Sequence, residues 1–210
     1  MILPVPSSLS GTLRSGWRAS VAVLLAAIAL GGCSFDLGSF SSGSDKDEPK
    51  PAPAGAAVAQ AQVSATHGQV LAKSGKPEEA LAEFNHAIEL DPNNAQALYG
   101  RGLLYQGDKQ HQQAIDDFTA ANGLKPQQAE PLLARAVSYL ALDKAKEAAA
   151  DLDEAAQADP QNAQIWSTRG QAYERLGDKA KAAESYGRAI SLRPRDDAAR
   201  NGLARVGGKT

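Results

Sequence analysis

Residues 61–94 read AQVSATHGQVLAKSGKPEEALAEFNHAIELDPNN, and residues 95–128 read AQALYGRGLLYQGDKQHQQAIDDFTAANGLKPQQ. Placed one under the other, they align Gly68 with Gly102, Ala80 with Ala114, Phe84 with Phe118, Ala87 with Ala121 and Pro92 with Pro126. The same 34-residue step continues to Ala136 and Gly170, Ala148 and Ala182, Leu152 and Tyr186, Ala155 and Ala189, and Pro160 and Pro194. Tyr105, Tyr139 and Tyr173 form a further column, in which Leu71 stands in the first copy. A fixed period of this length is the mark of stacked supersecondary units, each too small to bury its own apolar face alone.

Each column has a physical cause. Small residues let helices approach, and the large apolar column fills the space left between layers. Proline stops the second helix of each copy. Two residues on stand Asn94, Gln128, Asn162 and Asp196; three of these are strong N-caps for the next helix, and beside the weak Gln128 stands Pro131 in the first turn. Ser74-Gly75-Lys76-Pro77 and Leu176-Gly177-Asp178 read as turns between paired helices, whereas Gly107-Asp108 comes two residues early and predicts a differently shaped turn.

The pattern resembles the tetratricopeptide repeat. That resemblance implies an all-α fold, a right-handed superhelix of four helix-turn-helix repeats at about 61–94, 95–128, 129–162 and 163–196, and a C-terminal capping helix at 197–206. The whole domain is expected at 57–206, followed by a short tail at 207–210. Arg200, Asn201 and Arg205 suit the polar outer face of a cap.

Ahead of the repeats, LLAAIALGGCSFD (24–36) holds the chain's one cysteine, Cys33. Arg14 and Arg18 precede an apolar run from Val21 to Leu30, too short for the ~20 residues of a spanning helix and suited to a signal peptide over 1–32. Leu30-Gly31-Gly32-Cys33 resembles the lipobox of bacterial lipoproteins, with Gly31 where Ala or Ser is commoner. The resemblance implies cleavage before Cys33, lipid on its thiol and acylation (palmitate, for example) of the new amino terminus. Three acyl chains anchor a protein stably. By the same resemblance, Ser34 rather than Asp points to the outer membrane, periplasmic face. Residues 33–56 read as a tether rich in Ser, Gly, Pro and charge, with an end-to-end distance of roughly 25 Å.

Loss of residues 1–32 takes two of the 22 basic residues and none of the 24 acidic ones, so the formal charge moves from −2 to −4. A mildly acidic chain carries no electrostatic footprint for nucleic acid. His67, His86 and His111 lack the three- or four-residue spacing of helical metal ligands, and neighbouring carboxylates at Glu78-Glu79 and Asp116-Asp117 point apart on a helix. No phosphate loop, nucleophile elbow or paired Cys/His occurs. The expectation is therefore no enzyme, cofactor or metal. Arg101, Arg135 and Arg169 recur in one column and are expected to pack their stems between helices while reaching Asp117, Asp151 or Asp153.

In the family that the repeats resemble, the first helices of successive copies line a concave groove for a protein partner. Helical projection assigns that side to Gln96, Tyr99 and Leu103, to Leu133, Val137 and Leu140, and to Gln164 and Gln171, with Gln62, Ala65, Gln69, Gln106, Glu130, Ser167 and Glu174 beside them. An apolar middle between amide-rich ends marks an interaction surface unless the superhelix curls enough to bury Leu133 and Leu140. Ala65, Gln69, Gly100, Glu130 and Ala134 stand where chaperone-tail receptors of the family carry a cationic clamp, so acidic C-terminal motifs are poor ligands. The resemblance to small repeat lipoproteins of pilus and secretin systems, including the tight-adherence pilus, implies an assembly factor or pilot. The alternatives are an adaptor for peptidoglycan hydrolases or proteases, and a soluble periplasmic chaperone.

Overall fold

The computed structural model describes residues 54–207, which form nine α-helices and no strand. They are α1 (Ala54–Lys73), α2 (Pro77–Leu90), α3 (Ala95–Gly107), α4 (His111–Leu124), α5 (Ala129–Ala141), α6 (Ala145–Ala158), α7 (Ala163–Arg175), α8 (Lys179–Leu192) and α9 (Asp197–Arg205). Helix α1 begins at Ala54, ahead of the boundary expected at 57. The signal sequence, Cys33 and the tether up to 53 lie outside the described residues.

Four helical hairpins stack in order, each touching the next, and α9 packs on both helices of the last hairpin. Odd-numbered helices also touch one another along the array, whereas no even-numbered helix touches another. The odd helices therefore form the inner, concave side, because neighbours on the inside of a curved stack are closer than those outside.

The large-residue column holds the layers together. Phe84 of α2 is buried between Gly68 of its own hairpin and Gly100 of the next; a Cβ at these glycines would meet the ring at 2.8 and 2.4 Å. Phe118 lies against Gly102, where a Cβ would come to 2.6 Å, and Tyr186 lies between Gly170 and Gly202 at 2.5 and 2.3 Å. In the third hairpin Ala136 and Thr168 occupy the two equivalent places, and there the large residue is the smaller Leu152. Volume added on the flanks is thus matched by volume removed at the centre, as close packing requires. Gly202 also shows that α9 docks as the first helix of a fifth unit would.

The turns within hairpins repeat as faithfully as the core. Gly75, Lys109, Asp143 and Gly177, each 34 residues apart, all have positive φ between 57° and 78°. The residue after each donates its N–H to the carbonyl five back: Lys76 to Leu71, Gln110 to Tyr105, Lys144 to Tyr139 and Asp178 to Tyr173. The early Gly107-Asp108 pair therefore does not reshape its turn, contrary to the expectation from sequence. Lys109 takes the left-handed position instead, at a cost that L-residues ordinarily bear there of about 1 kcal/mol.

Links between hairpins differ in strength. Asn94, Asn162 and Asp196 accept from backbone N–H groups of the helices they begin, at 2.9, 3.0 and 2.9 Å. Asp91 and Asp159 add a side-chain bond to the N–H of the second residue after each. Between α4 and α5 these places hold Lys125 and Gln128; Gln128 makes no cap bond, and Gln127 has φ of 64°. Gln128→Asp is expected to stabilise the protein by about 1 kcal/mol, read as a higher urea midpoint at unchanged slope.

Candidate functional site: the inner face of the helical array

A row of exposed guanidinium groups in the Arg column would make an anion site. Arg101 donates through Nε and Nη2 to both oxygens of Asp117, at 2.8 and 2.7 Å, and Arg135 does the same to Asp151 at 2.7 Å each. Their remaining donors reach back one hairpin, to Asn85 Oδ1 and Thr119 Oγ1. In the last copy Ser185 replaces the expected aspartate. Arg169 turns to Asp153 of the preceding hairpin at 2.7 Å and donates to Ser185 Oγ. All three guanidinium groups are thus committed to neighbouring helices, as the sequence predicts. Hydrogen bonding to the aspartates pushes Arg101 and Arg135 above their usual range.

On the inner face the projected residues separate into two groups. Tyr99, Leu133 and Val137 are half-buried and Leu103 is 41% exposed; Gln164 and Gln171 are exposed, and Gln96 is half-buried. Leu140 is a correction: it is only 6% exposed and belongs to the core of the C-terminal half. Arg175 of α7 crosses to donate to the Leu140 carbonyl and, at 3.2 Å, to Asp143, so the next hairpin covers this place. Ser167 is also buried. Gln106 spends its amide on Ala134 O and Ser138 Oγ, at 2.7 and 2.8 Å. Gln62 and Gln96 bond to each other across the first two inner helices at 2.7 Å.

Tyr99 divides two recesses. One, of about 290 Å³, is mainly apolar, lined by Ala72, Leu103, Leu104 and the buried Phe84 ring, together with Gln69 and Lys73. The other, of about 410 Å³, is lined by the amides of Gln69, Gln96 and Gln128 together with Lys125 and Glu130. Leu133, Val137, Gln164 and Gln171 line neither of them. Lys125 and Ala121 escaped the sequence reading because they come from the end of α4; helical projection of α3 alone cannot show which neighbour closes a recess.

At the C-terminal end, Glu174 is held by Arg205 of α9 at 2.7 and 3.0 Å and accepts from the Tyr186 hydroxyl at 2.6 Å. The Arg205 hydrogen bonds lower the Glu174 carboxyl below its usual value, while burial and the bond to Glu174 raise the Tyr186 phenol. A raised phenol contributes stability that is complete below the unfolded value near 10 and is lost as pH climbs above it. Tyr186→Phe is therefore expected to flatten the alkaline limb of the stability profile above about pH 10, measured against the parent by urea unfolding. A parent and variant that run parallel there would contradict this coupling.

The comparisons with known proteins agree with this architecture. A family model described as TPR repeat matches residues 68–109, and two described as tetratricopeptide repeat match 95–128 and 163–196. This chain is a tetratricopeptide-repeat protein. Residues 129–162, the copy with the smaller Leu152 and the unusual Pro131, fall outside those matches. No curated protein matches the sequence. Among solved structures, MamA (residues 41 to end) from Desulfovibrio magneticus RS-1 superposes with TM-score 0.65 at 22% identity, over 70% of this chain and 83% of that one. Pseudomonas aeruginosa PilF superposes with TM-score 0.64 at 18% identity, over 72% and 69%. The first repeat domain of Spaghetti (RPAP3), bound to the HSP90 peptide SRMEEVD, gives TM-score 0.53 at 27% identity, over 55% and 92%. The tetratricopeptide repeat is a scaffold for protein–protein interaction. Among the described residues no group of three metal-ligating side chains comes together, and no helix is long and apolar enough to cross a membrane.

Proposed function

We propose that this chain is a non-catalytic, lipid-anchored scaffold of the bacterial outer membrane whose inner face holds a segment of an envelope-machine subunit, as an assembly factor or pilot of a pilus or secretin would. One observation carries the reading: a lipobox-like Leu30-Gly31-Gly32-Cys33 precedes, by a short polar tether, a repeat array whose inner face keeps Tyr99, Leu103 and Val137 accessible. The lipid sets location, the tether sets reach, and tethering raises the effective concentration of a weak site. PilF shares the fold and supplies the analogy at that level. The two recesses beside Tyr99 carry one lysine each, Lys73 and Lys125, the latter with Glu130 in the same recess, rather than a clamp of several cations, so the peptide SRMEEVD seen with RPAP3 is a poor guide to this ligand.

Photocrosslinking in cells from Tyr99 and from Val137, with Cys33 intact, tests the proposal. The expected result is one multimeric envelope subunit trapped at both positions. A spread of hydrolases or proteases would favour an adaptor, and absence of adducts from folded protein would move the partner to another face. In parallel, Cys33→Ser is expected to release the protein from the membrane fraction; unchanged fractionation would overturn the lipid anchor and favour a soluble periplasmic chaperone.

A further inference from the structure

The two ends of the array are finished differently. At the C-terminus α9 turns Asp197, Arg200 and Asn201 to solvent. At the N-terminus α1 exposes Val63 (67%) and Val70 (56%), two turns apart on one face, with Ala59 and Thr66 between and beside them. Counting in steps of 34, the places of Val63 and Val70 are filled later by Ala97, Pro131, Ile165 and Ala199, and by Leu104, Ser138, Ala172 and Val206. Each of these eight is buried or half-buried. Helix α1 therefore carries the surface of an interior repeat at a position that no preceding repeat covers among the described residues. Stacked arrays ordinarily give such an end a polar face.

We propose that a second copy of this chain covers it, through antiparallel packing of α1 on its symmetry mate. Across its 20 residues α1 carries a single formally charged side chain, Lys73 in the last turn. In an isologous contact every residue meets its own kind of surface, so a face without charge is self-compatible whereas a charged one repels its copy. A twofold axis between Thr66 and His67 sets Val63 against Val70 of the mate, twice, and Ala59 against Ser74. It leaves Lys73 beside Gln60 of the mate, whereas a parallel pair would bring the two Lys73 side chains together. Antiparallel helix dipoles also favour this sense. His67 bonds Glu83 of its own hairpin at 3.0 Å. One helix pair buries less than the roughly 800 Å² per partner of a standard interface, so the dimer dissociates readily.

The test is disulfide trapping in cells expressing the full chain. Val63→Cys combined with Val70→Cys is expected to give a disulfide dimer under mild oxidation, at least tenfold above the wild-type chain, which reports any contribution of Cys33. Val63→Cys alone, which faces Val70 of the mate, and Ala204→Cys on the cap, a collision control, are expected to remain at background. Adding Thr66→Asp to the double-cysteine chain sets two carboxylates at the axis and is expected to cut trapping at least tenfold. Thr66 is exposed, so the fold survives that change, as circular dichroism would verify. A double-cysteine chain at background, a disulfide to a protein of different mass, or equal trapping from the cap would each overturn the proposal. So would efficient trapping by Val63→Cys alone. None of these outcomes depends on what the inner face binds.

Discussion

Phe118→Ala is expected to lower the stability of the repeat domain by about 4 kcal/mol, the middle of the range for emptying a buried aromatic site. The ring is fully buried, lies against Gly102 of its own hairpin, and clusters with Ala114 and Ala134, the latter on the next hairpin. In a quasi-one-dimensional array the loss falls on one inter-repeat junction, so unfolding should also become less cooperative, with separate transitions for the two sides. The converse substitution tests the same packing from the other flank. Gly102→Ala puts a Cβ 2.6 Å from the ring and should cost about 2 kcal/mol by overpacking. Combined with Phe118→Leu, it reproduces the Ala136–Leu152 pairing of the third hairpin. The double variant should therefore be more stable than the sum of the single losses allows, a favourable coupling that equilibrium urea unfolding of the four proteins would resolve. Strict additivity would show that the ring and the glycine are not packing partners.

Asp151→Ala is expected to cost about 3 kcal/mol, because it strands Arg135 between hairpins without its carboxylate. Arg135 would retain only the Thr119 hydroxyl and its place over the Tyr139 ring, 6.0 Å from the centroid. Removing both partners, as Arg135→Met with Asp151→Leu, should recover most of the loss, since apolar groups of similar volume commonly replace a buried ion pair without penalty. Thermal unfolding of the single and double variants discriminates: equal destabilisation would mean that the pair does more than satisfy itself. Asp153, which takes Arg169 in the last copy, also accepts from the Tyr173 hydroxyl at 2.7 Å, so its truncation breaks two bonds at once.

Period, helix pairing and the alternation of small and large columns were legible in the residues, because a 34-step repetition is a one-dimensional property. The partners of the Arg column were legible for the same reason: a guanidinium buried at a fixed register needs a carboxylate within reach. The capping residues Asn94, Asn162 and Asp196 announced themselves by chemistry local to four residues. Tertiary structure alone decided the rest. Lys109 takes a left-handed turn because the Gln110 N–H still closes on the Tyr105 carbonyl as in the other three hairpins, which no dipeptide rule weighs. Leu140 and Leu133 project to the same side of α5, yet Leu140 is buried among core residues and Leu133 remains half-buried, because Arg175 and α7 close over one end of the helix. Helical periodicity assigns a residue to a face; only the approach and curvature of neighbouring repeats determine whether that face meets water, a partner or the next hairpin.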